Sequence, residues 1–141
     1  MNRINAAQRG LQQASDLAAV LDAAYQAFEE MLSVIHPAQD PASGWFAAYV
    51  MAAASAANGR NALALAPSLP RRPLLAMPAE EDPGPGERPE QVAKALAGLS
   101  DLVAGRLASA AAGAREIGDR DACGHAARNA LDICGLLSGR P

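Results

Sequence analysis

From Ile4 to Ile35 the apolar positions advance by alternating threes and fours, through Ala7, Leu11, Ala14, Ala18, Leu21, Tyr25, Phe28 and Leu32. Such steps return to one side of a 3.6-residue turn, so the spacing predicts one long amphipathic helix, its stripe widened by Leu17, Val20, Ala24 and Met31. The helix is expected to stop at His36, because a residue before proline is pushed out of the α region. Asp40-Pro41 then reads as an N-cap followed by proline at the first helical position, opening a second helix over 41–58 that carries no charge from Ala42 to Ala57. Asn58-Gly59 offers it a left-handed stop, and a weaker pattern through Leu63 and Leu65 offers an extension to 66. Most of the prolines fall in 67–88, which predicts a long surface loop.

Pro89 and Glu90 begin a third helix over 89–117, with the stripe Val92, Leu96, Leu99, Val103, Leu107, Ala110, Ala114 and Ile117. Asp119 reads as the cap of a fourth, over 119–138. Its apolar face is Cys123, Ala127, Ala130, Cys134 and Leu137, widened by Leu131 and Ile133; Asp121, His125, Arg128 and Asp132 make the polar face. No strand alternation and no internal repeat interrupts this pattern. The expectation is an all-α fold of one domain over 1–141: a compact antiparallel four-helix bundle with a long Pro-rich loop between its second and third helices. The loop leaves the relative direction of the two hairpins open. Within it, Leu69, Leu74, Leu75 and Met77 are expected to lie along the bundle, and Glu80 to Glu87 to be the most mobile internal stretch.

Alanine supplies about a quarter of the chain and aromatic residues 4%, which argues for closely spaced helices around a thin core. Half the residues are hydrophobic, too many for disorder. Twelve basic against fifteen acidic residues, a formal charge of −3, gives no generic attraction to nucleic acid. Cys123 and Cys134 share one predicted helix about 16 Å apart along its axis, too far to bridge. With no apolar run behind Met1 and Arg3, the expected setting is a reducing cytoplasm. The uncharged stretch between Asp40 and Arg60 approaches membrane-spanning length, but Ser43, Gly44, Ser55, Asn58 and its alanines make it too polar, so no span is expected.

Arg3 and Arg9 stand near the start of the first predicted helix and Glu29 and Glu30 near its end, opposite to what its dipole favours. Ion-pair networks at the two ends of the bundle, or an antiparallel self-pairing, would account for this. In the first, Arg3, Arg9 and Arg60 gather at one end with Glu87 and Glu90, and Glu29, Glu30, His36, Asp40, Arg115, Glu116, Asp119, Arg120, Asp121 and His125 gather at the other, each end a mixed-charge network. The widened stripe also exposes more apolar surface than alanine-rich neighbours cover, which predicts a homodimer, or another protein partner, held through the first or second helix.

Chemistry-bearing motifs are sparse. Cys123 and His125, two apart on a helix, point about 200° from each other and cannot share a metal. No metal site and no cofactor is expected. His36 reads as a helix-end residue, Trp45, Phe46 and Tyr49 as core, and Ser55 and Asn58 as polar groups needing partners on an apolar helix. Arg120-Asp121-Ala122-Cys123-Gly124-His125 resembles the signature of the HEPN family, in which an arginine, a polar residue and a histidine lie at the start of a late helix in a small all-α bundle. The resemblance implies a metal-independent endoribonuclease, of toxin or defence type, that dimerises so that two motifs face one RNA strand. Within it His125 would move a proton at the 2′-hydroxyl or leaving oxygen and Arg120 would stabilise phosphate charge. The residues themselves point instead to a non-enzymatic interaction or regulatory subunit, with Arg120 paired to Glu29, Glu30 or Glu116 and His125 solvated. The HEPN-like nuclease is the alternative.

Overall fold

In the computed structural model, which describes residues 2–70 and 88–139, five helices follow one another: α1 (Asn2–Gln13), α2 (Leu17–Ala38), α3 (Phe46–Ala64), α4 (Pro89–Gly113) and α5 (Ile117–Ser138). The described residues are all-helical, with no strand. The expectation of four helices is corrected because the long first stripe breaks. Ala14 closes the last turn of α1 by donating to the Gly10 carbonyl. Asp16 is extended (φ −126°, ψ 170°), and its carboxylate accepts from the Ala19 amide at 2.7 Å as the N-cap of α2. Arg106 of α4 secures the break by donating to the carbonyl of Ala14. The chain therefore folds back, and Ile4 and Leu11 of α1 are buried against the same core as Leu21, Phe28 and Met31 of α2.

The fold-back also brings Arg3 of α1 to within 3.6 Å of Glu30, while Glu29 lies 3.6 Å from Arg60 of α3, so these charges meet along the helices. Further boundaries move. α2 runs through Pro37 to Ala38, although Pro37 removes the bond its N–H would make to the Ser33 carbonyl, and it unwinds directly afterwards at Gln39 (φ −77°, ψ 86°). Asp40-Pro41 does not begin a helix. Asp40 accepts from Ala42 and Ser43 accepts from Trp45, making a tight turn that delivers the chain to Phe46. α4 stops at Gly113, short of 117, and α5 starts at Ile117, two residues before its expected cap.

Asn58-Gly59 is no stop either. Gly59 is buried inside α3 because the Phe28 ring packs on it; a Cβ there would stand 2.5 Å from Phe28 Cζ. Around the core, α3 neighbours α2 and α5, α4 neighbours α2 and α5, and α1 lies on α2 and α4. The Tyr49 hydroxyl donates to the Pro89 carbonyl at 2.6 Å, so α3 and α4 begin at the same end. Ser68, just past α3, bonds Asp119 at the start of α5, so α5 begins at the other end. This settles the hairpin directions that the sequence left open. His36 consequently lies at the opposite end from Arg120 and His125, another correction to the expected charge clusters. Residues 71–87, with Leu74, Leu75, Met77 and the stretch Glu80 to Glu87, lie outside the described residues.

Candidate functional site

α5 carries the candidate chemistry on its outer side. Asp121, His125, Arg128 and Asp132 are all exposed, as the spacing predicts for a polar face, and Arg120 is exposed beside them. Asp121 and His125, four apart, share a face. Arg120, five residues before His125, is turned about 140° from it around the axis and about 7.5 Å along it. Its guanidinium does not reach Glu29, Glu30 or Glu116 as expected: Nε donates at 2.6 Å to the Ala114 carbonyl, left free where α4 ends. Glu29 and Glu30 are engaged by Arg60 and Arg3. The three motif residues are therefore accessible on one helix, and within a single chain they do not converge.

Inside α5, Asp119 is fully buried. Its two oxygens accept from the Ser68 amide (2.9 Å) and hydroxyl (2.6 Å), tying the turn after α3 to the start of α5, where the helix dipole favours a carboxylate. Cys123, one turn on, is also fully buried, and burial, aided by the charge of Asp119, pushes its thiol up to about 11. Both cysteines are free. Among the described residues no group of three or more His, Cys, Asp or Glu side chains could hold a metal ion.

The aromatic trio divides. Trp45 and Tyr49 are buried with ring centroids 6.1 Å apart, and burial next to Glu90 pushes the Tyr49 phenol up to about 12. Phe46 instead turns outward. Trp45 also floors an open cleft of about 620 Å³ whose rim includes Glu90, Lys94 and Ser138. Ser55 is half-buried and Asn58 exposed; among the described residues the buried polar side chains are Ser100, which donates to the Leu96 carbonyl, and Asp119.

The surface that sequence reasoning missed runs along α3 and α5. Met51 (56% exposed), Leu131 (55%), Val50 (42%) and Phe46 (36%) are large apolar side chains left open to solvent. Met51, Ala54, Leu131, Gly135 and Leu136 line a shallow groove of about 550 Å³, with Ser55 and Asp132 at its edge. The spacing places Leu131 on the core side of its helix, and the structure exposes it. The spacing predicts surplus apolar surface on the first helix, whose stripe the structure buries or half-buries. A signal was available: α3 begins Phe-Ala-Ala-Tyr-Val-Met, apolar on every side, and only one side of such a helix can face the core of so small a domain.

One described helix, α4, is long and apolar enough by length and composition to cross a membrane (mean hydropathy 1.2), and it packs against α1, α2 and α5. Comparison with known proteins found no matching family model, no matching curated protein and no matching solved structure.

Proposed function

We propose that this protein is a helical interaction or regulatory subunit, non-enzymatic, that associates with a second copy of itself through the outer face of α3 and α5. The observation that carries this reading is a groove lined by the exposed side chains of Met51 and Leu131 together with Ala54 and Leu136, with Phe46 and Val50 also exposed on α3; Leu65 and Ile117, the other large exposed apolar side chains among the described residues, lie outside it. Of the two helices expected to carry the contact, the second supplies it, in the form of α3. In this reading α2, α3, α4 and α5 act as a four-helix bundle and α1 as a brace across two of them. Two free cysteines, set too far apart on α5 to pair, suit a reducing, cytoplasmic setting. Light scattering across a concentration series tests the proposal. A dimer mass is expected, and a monomer mass at high micromolar concentration would exclude it.

A second reading, the HEPN-like endoribonuclease, is favoured by one observation: Asp121 and His125 share an exposed face, and Arg120 is held by a carbonyl and by no carboxylate. Its test is cleavage of single-stranded RNA by the purified protein, insensitive to chelator and lost in His125→Ala. On a solvated face the same substitution costs well under ~1 kcal/mol of stability and changes no activity.

A further inference from the structure

α5 offers a self-complementary charge pattern beside the apolar groove. Arg128 and Asp132, four apart, are exposed about 40° from each other on one face, with Leu131 to one side of that face, and among the described residues neither makes an ion pair or a side-chain hydrogen bond. We propose that two copies pair antiparallel through α5, about a two-fold axis beside residue 130, so that Arg128 of each copy meets Asp132 of the other. This rests on the self-association proposed above and adds its polarity and register.

In an antiparallel two-fold pair, positions equally far from the axis face each other. An axis beside residue 130 makes two reciprocal Arg128–Asp132 contacts and brings the two Leu131 side chains together next to it. It also sets His125 over Gly135, where a Cβ would find nothing within 4 Å and an imidazole has room to lie flat. Met51, Ala54 and Leu136 line the groove with Leu131, so the groove of each copy lies against the apolar surface of the other, with the Arg128–Asp132 contacts close to the axis. A parallel pair would set Arg128 against Arg128 and Asp132 against Asp132, which like-charge repulsion disfavours. A second antiparallel register on this face also matches charges. Centred between Gly124 and His125, it pairs Arg128 with Asp121 and brings the two histidines together, as a nuclease requires. It sets Leu131 opposite Gly118 and leaves the groove uncovered. The groove selects the first register, in which the two histidines stand about 15 Å apart along the axis.

Charge reversal in the full-length chain, read by analytical ultracentrifugation, tests this. Arg128→Asp and Asp132→Arg should each weaken self-association roughly tenfold or more, because each creates two like-charge contacts. An equimolar mixture of the two variants should associate as a heterodimer. The double variant R128D/D132R should self-associate like the wild type, and Asp121→Arg should leave association unchanged. Circular dichroism of each variant separates lost association from lost folding. Weakening by Asp121→Arg and not by Asp132→Arg would overturn the register and place the axis at His125. Charge variants that all associate normally, while Met51→Glu with Leu131→Glu dissociates the dimer, would overturn the register and leave the face intact. A wild-type monomer at high micromolar concentration would remove both.

Discussion

At Gly59 two ordinary expectations oppose each other. Replacing a mid-helix glycine by alanine normally stabilises by about 1 kcal/mol. Here the new Cβ would meet the buried Phe28 ring at 2.5 Å, and a core this tight yields little. Gly59→Ala is therefore expected to destabilise by about 1–3 kcal/mol in chemical denaturation, and a gain in stability would show that the ring can move aside. Asp119 is a second single-residue hinge of stability. Asp119→Ala removes two charge-assisted hydrogen bonds and should cost about 2–3 kcal/mol. Cys123 and Tyr49 make the fold sensitive to alkali. Both protonated forms are favoured by burial, so the native state holds these protons more tightly than the unfolded chain. Their contribution is whole below about pH 9 and lost as pH rises through about 11 for the thiol and about 12 for the phenol. Urea midpoints should fall from about pH 9 upward, and Cys123→Ala should flatten the lower part of that fall.

Among the elements, the decisive one is the break between α1 and α2. A 3–4 stripe continues smoothly through Ala14 and Ala18, and periodicity alone cannot distinguish one straight helix from two that fold back on each other. What distinguishes them is the Asp16 cap and the Arg106 guanidinium that meets the open end of α1. Asp16→Ala should lower stability by about 1 kcal/mol, the usual cost of an N-cap, measured by thermal or urea unfolding. An unchanged midpoint would mean that packing of Ile4 and Leu11 holds the fold-back unaided. α5 shows the reverse situation: its buried and exposed sides follow its spacing almost throughout, Leu131 excepted.

For the molecule as a whole, the proposed self-association predicts a link between stability and concentration. A dimer that forms only from folded chains raises its melting temperature with protein concentration. The wild type should show that rise, and Met51→Glu with Leu131→Glu should abolish it while leaving helical content intact. The apparent dimer signature in the first helix has a different cause. Arg3 near its start and Glu30 near its end meet within one chain because α1 turns back on α2, and Glu29 is met by Arg60 of α3. The exposed large apolar side chains of the groove lie elsewhere, on α3 and α5.

Helical class, the polar face of α5 and the burial of Cys123 were legible in residue order, because each depends on periodicity within one helix, and 3.6-residue spacing is a local property. The motif residues Arg120, Asp121 and His125 were likewise legible as neighbours in sequence. Where their side chains go was not: the partner of Arg120 is a carbonyl exposed by the ending of another helix, and its expected glutamates are taken by Arg3 and Arg60. The same holds for the break at Ala14, the burial of Gly59 under Phe28, the reach of Asp119 to Ser68 and the exposure of Met51 and Leu131. Each of these depends on which helix lies beside which. Spacing along a chain determines which residues share a side, and only packing determines whether that side meets core, another charge or water.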